Sequence, residues 1–264
     1  VFVVYTYGIF WALKRFVLPL MPEQYVKKMF TNSVQLVLLG GILFIPIRGG
    51  VTTSTANVGM VYFSKNQFLN HSAINPCFSF LASLSKQQDF AAQYNYFSES
   101  QRSKIFKKLT NQPQGDSIPE LLTTKNPNII LILMESFSAN AIEVLGGEAG
   151  VTPNINRLSK EGILFSNMYA NSFRTDRGIV AVLNGYLAQP TTSIMKYPAK
   201  SQTLPSIAKS LQKKGYTSDM LYGGDINFTN MQSYFFSSGY SKVTADRDFP
   251  LKSRLSKWGA NDDI

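Results

Sequence analysis

Two uncharged apolar runs separated by a basic stretch dominate the first 50 residues. Val1 to Leu13 (VFVVYTYGIFWAL) is 13 residues long, short of the roughly 20 that a helix needs to cross a bilayer. It reads as the exit end of a transmembrane helix, with a buried strand or core helix as the alternative. Met29 to Ile47 (MFTNSVQLVLLGGILFIPI) has 19 uncharged residues and is long enough to span. Pro46 and Gly49-Gly50 mark its end. Between the runs lie Lys14, Arg15, Lys27 and Lys28 against the single acid Glu23. Short basic loops stay on the cytoplasmic side, so everything after Arg48 is expected on the outer face of the membrane. Two runs around a basic loop do not have the layout of a cleavable signal peptide.

From residue 49 to 126 the pattern turns polar, rich in Ser, Asn and Gln, yet carries Tyr62, Phe63, Phe68, Phe78, Phe80, Phe90, Tyr94, Tyr96 and Phe97. Disordered linkers are poor in aromatics, so this stretch packs on something, either the lipid interface or the domain that follows. Asn75-Pro76 divides it into two short helices, and a basic helical piece lies near Arg102 to Lys108. Asn70-His71-Ser72 and Asn227-Phe228-Thr229 fit the short glycosylation pattern.

From residue 127 onward apolar runs alternate with amphipathic ones. Asn128 to Met134 (NIILILM) is apolar without alternation, which predicts a strand covered on both faces in a parallel sheet. It ends at Glu135, and ligands in open α/β sheets collect at the carboxyl ends of strands. Thr152-Pro153-Asn154 opens a helix through Leu158. Gly162 to Ala170 reads as a second strand, followed by the polar turn Asn171 to Gly178 and a helix from Ile179 to Leu183. Ser206 to Lys214 predicts a helix, Tyr216 to Tyr222 a strand and Met231 to Ser237 a helix. The alternation indicates a layered α/β domain. In the polar turn, a hydroxyl near a helix N-terminus, with Arg174 and Arg177 beside it, suits a bound phosphate.

Composition narrows the chemistry further. The net charge of +10 is compatible with nucleic acid, anionic lipid or phosphate-bearing substrates, and the expected outer location argues against nucleic acid as the partner. One cysteine, Cys77, excludes an intramolecular disulfide. The single histidine, His71, excludes a site with two imidazoles from this chain and reads as structural or solvated. The chain starts inside an apolar run and stops after Asp262-Asp263-Ile264 without closing an element, and so reads as a fragment of a longer protein.

The order NIILILMES at 128 to 136, TPNINRL at 152 to 158, GILFSN at 162 to 167 and RTDRG at 174 to 178 resembles the sulfatase-like catalytic domain of the alkaline phosphatase superfamily. Within it, the closest likeness is to the lipoteichoic acid synthase and phosphoglycerol transferase branch, which places membrane helices ahead of an extracytoplasmic domain. The resemblance implies an α/β, layered sulfatase/alkaline-phosphatase-like sheet domain, incomplete at its C-terminus, preceded by transmembrane helices. The division expected is a membrane region over 1–48, a linker with short helices over 49–126 and the first part of the catalytic domain over 127–264.

The resemblance further implies that Glu135 ligates a divalent metal and that Thr175 is both nucleophile and metal ligand. Manganese is the metal first expected, with zinc or magnesium as alternatives. A carboxylate holds a hard cation, and the metal lowers the hydroxyl pKa so that Thr175 attacks phosphorus and forms a phospho-enzyme. True sulfatases carry a modified Cys or Ser in a Cys/Ser-x-Pro-x-Arg motif, where this sequence has Thr175-Asp176-Arg177. The family's Asp-His metal pair and a further substrate-side His are expected beyond Ile264, since no histidine follows His71. Thr229 and Met231 stand where lipoteichoic acid synthases carry a Trp and an Arg for the glycerol phosphate head, which leaves phosphoglycerol and phosphoethanolamine both open.

Arg174, Arg177, Asp225 and Asn230 are the candidate substrate-binding residues. Each has a plainer role. Glu135 and Thr175 also suit helix capping, the arginines suit surface pairing with Asp176, and Asp225 and Asn230 are turn formers. The activity implied is a membrane-anchored phosphoryl-headgroup transferase of a bacterial inner membrane, using a phospholipid donor and a glycan or lipid acceptor. A phosphate or sulfate ester hydrolase and an inactive envelope scaffold are the competing readings.

Overall fold

The second apolar run forms α1, Met29–Arg48, a 20-residue helix with no buried residue. Its length and mean hydropathy of 1.8 suffice to cross a membrane. Pro46 lies inside the helix rather than at its end, and Gly49 closes it in the left-handed region at φ 93°, a conformation that glycine adopts without steric cost. The computed structural model describes residues 7–8, 10–17, 19, 28–51, 54–85, 89–111, 122–254 and 259–261. Half of the run Val1 to Leu13 therefore lies outside the described residues, and among those described α1 alone meets the length and hydropathy needed to span.

The polar stretch folds into a 3₁₀ turn, Val58–Val61, and four helices: α2 (Gln67–Ser72), α3 (Pro76–Ser85), α4 (Phe90–Gln93) and α5 (Glu99–Thr110). The predicted break at Asn75-Pro76 separates α2 from α3. Ser98 and Gln101 form a reciprocal capping box at the start of α5, satisfying two otherwise orphaned donors. Tyr62 and Phe90 of this stretch pack on the domain that follows, whereas Phe63, Phe68, Phe80, Tyr96 and Phe97 are exposed. Phe90 meets the Tyr197 ring edge-on at 5.1 Å, and Lys200 lies 4.6 Å from the Phe90 centroid. Asn70, in the first glycosylation pattern, is fully buried and hydrogen-bonded, which leaves no room for a glycan.

The remaining elements are α6 (Pro153–Glu161), α7 (Thr175–Asn184), α8 (Pro198–Ser201), α9 (Ile207–Gln212), β1 (Asp219–Leu221), α10 (Met231–Ser237) and β2 (Lys242–Thr244). β1 and β2 pair in parallel, Asp219 opposite Lys242. α10 is buried on nearly every side, as befits a central core helix. Around Met231, Tyr234 and Phe235 collect Val180 and Leu183 of α7, Met195, Ala208, Ile226, Tyr240 and Ala245. The Tyr234 hydroxyl donates to Asn184 Oδ1 at the end of α7, and the Ser206 hydroxyl donates to the Ser238 carbonyl. Burial raises the Tyr234 pKa, so this phenol stays a donor.

Three expectations are corrected. Asn128 to Met134 and Gly162 to Ala170 form no ladder; Ile130 is 88% exposed and Ile132 75%. A strand apolar on both faces needs neighbours for its backbone and a layer on each side, and among the described residues neither is supplied. The first run still lies near β1 at both ends, since Tyr216 donates its hydroxyl to the Pro127 carbonyl and Glu135 stands in the field of Tyr222. The third correction is that α7 begins at Thr175, four residues earlier than Ile179, because Asp176 and Arg177 are buried in its first turn together with Val180 and Leu183.

Candidate active site

Glu135 and Thr175 are 40 residues apart and meet: Thr175 Oγ1 donates to Glu135 Oε1 at 2.5 Å. Thr175 is the first residue of α7, and its N-cap Arg174 makes no side-chain capping bond. The first N–H groups of the helix thus surround the hydroxyl with partial positive charge, a setting that favours a bound anion. Ser136, directly after Glu135, has φ 54°. A non-glycine residue held in the left-handed region marks a sharp, over-determined turn.

The arginines divide. Arg174 is half exposed, and its Nε stands 3.5 Å from Asp176 Oδ1. Arg177 is 8% exposed; its Nη1 donates to the Pro190 carbonyl at 2.6 Å and its guanidinium lies 5.6 Å from the Phe173 ring centroid. These contacts hold the Arg177 guanidinium between the Pro190 carbonyl and the Phe173 ring. Asp176 is anchored by its carbonyl, which accepts from the Ser193 hydroxyl at 2.8 Å.

A second wall comes from the ends of the two strands. Tyr222 follows β1, and its N–H donates to the Thr244 carbonyl of β2 at 2.8 Å. Its phenol pKa is pushed up to about 12, first by burial and then by the carboxylates of Glu135, Asp225 and Asp246. Burial also raises the pKa of Asp246, an effect Asp225 reinforces. Tyr222 was not among the residues singled out from the sequence. Its place just past a strand, three residues before Asp225, is the signal that could have found it.

Asp225 and Asn230 sit within the loop itself. Asp225 Oδ1 accepts from the Asn227 N–H at 2.9 Å, Oδ2 accepts from the Ser54 hydroxyl, and the Asp225 carbonyl accepts from the Phe228 N–H at 3.0 Å. Asn230 is 2% exposed with φ 64°. Thr229 has φ 51°, unusual for a β-branched residue, and its hydroxyl reaches Met195 Sδ at 3.6 Å. His71 is exposed and meets the Tyr62 ring at 6.3 Å, a packing role.

Among the described residues, no three His, Cys, Asp or Glu side chains are grouped so as to hold a metal ion. Glu135 and Thr175 nevertheless offer a carboxylate and a hydroxyl at one point, the oxygen donors that a hard divalent cation takes. They fit such an ion as part of its coordination.

Comparison with known proteins decides the family, since a sequence description of the Sulfatase family matches residues 127–262. The chain belongs to the sulfatase family. It carries a sulfatase domain of the alkaline phosphatase superfamily, with the α/β fold of that superfamily. The domain is similar to an N-acetylglucosamine-6-O-sulfatase of Bacteroides thetaiotaomicron, 31% identical over 106 residues, 39% of this chain and 18% of that protein. It is also similar to lipoteichoic acid synthase 1 of Bacillus subtilis, 33% identical over 128 residues, 46% of this chain and 20% of that protein. A solved structure of a protein in the alkaline phosphatase superfamily from Vibrio parahaemolyticus is 36% identical, covering 49% of this chain and 31% of that one, at a TM-score of 0.45. The chain thus spans about a fifth of the length of these two curated relatives.

Proposed function

We propose that this sulfatase domain belongs to a membrane-anchored phosphoryl-headgroup transferase acting outside the cytoplasm. The observation that carries the reading is the Thr175 hydroxyl donated to Glu135 at the open N-terminus of α7. A threonine there supplies an alkoxide nucleophile, and the helix N–H groups suit a phosphoryl oxygen. The likeness to a lipoteichoic acid synthase and the spanning length of α1 support the transferase assignment.

In the reaction, Thr175 Oγ attacks phosphorus while the bond from phosphorus to the diacylglycerol oxygen breaks, and diacylglycerol leaves with a proton. The headgroup phosphate stays on Thr175 until an acceptor hydroxyl of a glycan or lipid attacks, loses its proton and frees the threonine. Glu135 orients the Thr175 hydroxyl through Oε1. A divalent cation bound at Glu135 and Thr175, manganese first among candidates, would lower the pKa of the hydroxyl. Arg174, half exposed and next to Thr175 in the chain, is the charged donor that would neutralise developing negative charge.

The likeness to sulfatases favours a second reading, hydrolysis of a sulfate ester by the same residues. One experiment separates them. The full-length protein is reconstituted in vesicles of phosphatidylglycerol and phosphatidylethanolamine with manganese, and diacylglycerol release is followed beside cleavage of a chromogenic aryl sulfate. Diacylglycerol release that disappears in Thr175→Ala supports the transferase. Aryl sulfate turnover with no diacylglycerol release overturns it.

A further inference from the structure

The segment after α1 makes a series of contacts that neither Glu135 nor Thr175 explains. The Ala56 N–H donates to the Arg48 carbonyl at the end of α1, at 2.7 Å. Gly49 lies so close that a Cβ there would stand 2.6 Å from Ala56 Cβ. Two residues back, Ser54 donates to Asp225. Asn57 Nδ2 donates to the Asn227 carbonyl at 2.9 Å. A Cβ on Gly59 would stand 2.8 Å from Ser233 Oγ and 3.1 Å from Asn230 Oδ1, so the backbone presses directly on the start of α10. Gln232 Nε2 donates to the Tyr62 carbonyl, and Tyr62 is 2% exposed.

The contacts made by Ser54, Asn57 and Tyr62 join residues 170 or more positions apart. Closing a loop of that length costs entropy before any contact forms, and several contacts share that cost here. All of them converge on the loop from Asp225 to Asn230 and on the first turn of α10. The loop borders Tyr222, whose other charged neighbours are Glu135 and Asp246.

We propose that Ser54 is a positioning residue for Asp225, and that Ser54–Tyr62 is a strap holding the loop beside Glu135 and Thr175 at a short, fixed reach from the end of α1. Residues 54 to 56, one side chain and two hydrogen bonds separate the Arg48 carbonyl from Asp225. That is roughly 15 Å at full extension. The polar headgroup zone of a bilayer is about 5 to 8 Å deep on each side. With α1 spanning and Arg48 at the interface, the loop stands at the outer edge of the headgroups. The strap would thus hold the candidate site at the depth of the phospholipid donor already proposed. This deepens the transferase reading and rests on it for the substrate, but not for Ser54.

The test uses the full-length protein in phosphatidylglycerol vesicles. Amide exchange is measured first. Ser54→Ala speeds exchange at Asn227 and Phe228 by about tenfold, Ser54→Thr restores the slow rate, and the amides of α7 do not change. Equal exchange in Ser54→Ala and the parent protein overturns the positioning role, whether or not the protein is active. The second arm inserts six Gly-Ser residues after Val51 and adds Ala56→Pro, which removes the N–H that ties residue 56 to the Arg48 carbonyl. Turnover of bilayer phosphatidylglycerol falls at least tenfold, while monomeric short-chain phosphatidylglycerol is turned over as before. An equal fall on both substrates makes the strap a folding element only, and no fall on either removes the fixed reach. If the parent protein turns over neither substrate, the transferase reading fails while the exchange result still decides Ser54.

Discussion

Asn70 closes the base of the strap, and its removal has a magnitude the structure sets. Its side chain is fully buried. Oδ1 accepts from the N–H groups of Phe63 and Ser64, both at 3.0 Å, and Nδ2 donates to the Ser64 carbonyl at 2.6 Å. Asn70→Ala removes three hydrogen bonds. Because Phe63 is exposed and Ser64 half-buried, water partly replaces the lost partner, and each bond is taken at the lower value of about 1 kcal/mol. Asn70 lies in α2, where alanine is the better helix former by about 0.6 kcal/mol. The net loss is then about 2.4 kcal/mol, close to a 50-fold rise in the population in which the turn from Phe63 to Asn66 is open. Lys65 stands exposed in that turn, directly after the strap, so native-state trypsin cleavage after Lys65 reads that population when opening is fast relative to cutting. The expected outcome is cleavage about 50-fold faster in Asn70→Ala. Asn70→Asp keeps both accepted N–H bonds but sets a fully buried carboxylate oxygen against the Ser64 carbonyl, so it does not recover the loss. Cleavage of Asn70→Ala within about threefold of the parent would refute the reasoning.

Three further outcomes are expected. Thr175→Ala and Glu135→Gln each lower manganese-dependent diacylglycerol release by at least about a hundredfold, whereas Thr175→Ser, which keeps a hydroxyl, retains measurable turnover; full activity in Thr175→Ala assigns the nucleophile elsewhere. In a titration by phenolate absorbance, Tyr222 ionises near pH 12. Because its folded pKa lies above the ordinary value of 10, the stability it contributes is fully present below that pH and is lost as pH rises through about 12. Glu135→Gln removes one of the carboxylates that disfavour the phenolate and lowers the Tyr222 midpoint, leaving it above the ordinary value because burial is the larger cause; an unmoved midpoint would separate Tyr222 from the site. Gly239 has φ 97°, and a Cβ there would lie 3.1 Å from Lys209 Cγ, so Gly239→Ala destabilises by about 1 to 2 kcal/mol in urea denaturation.

How much was legible follows from the range of the interactions. α1, α2, α3, α5, α9 and α10 announce themselves through local signals: an apolar run, a proline break, the basic piece from Arg102 to Lys108, Ser206 before Ile207. Met231–Ser237 has the predicted bounds, because Asn230 in the left-handed region and Gly239 bracket it. The meeting of Glu135 with Thr175 came from a resemblance, since nothing in the stretch between them encodes the distance. β2 escaped notice because three residues, Lys242–Thr244, carry too little pattern. The strap escaped for the opposite reason: Ser54, Asn57 and Gly59 are ordinary linker residues until Asp225, Asn227 and Ser233 are brought to them. The runs at 128–134 and 162–170 were read by composition alone, and a composition suited to burial does not supply the neighbours that make a strand.

The places where local preference is overruled tell where the chain does something other than fold. Ser136, Thr229 and Asn230 are the non-glycine residues at positive φ among those described, and all three lie in the two loops that border Tyr222. Ser136 directly follows Glu135, so the turn that aims the carboxylate at Thr175 is made at a residue disfavoured for it. Thr229 is the more costly, as a β-branched side chain crowds the left-handed region. Such conformations persist only when surrounding contacts fix them, and here those contacts are visible: Asp225 caps the loop at Asn227, Ser54 holds Asp225, and Asn57 holds the Asn227 carbonyl. Elsewhere in the domain, turns with positive φ are given to glycine, as at Gly185, Gly215 and Gly239. A chain that uses glycine freely at its other turns keeps Ser, Thr and Asn at these three, where the Thr229 hydroxyl reaches Met195 and Asn230 Oδ1 lies beside Gly59, and the strap that follows α1 offsets the stability these conformations cost.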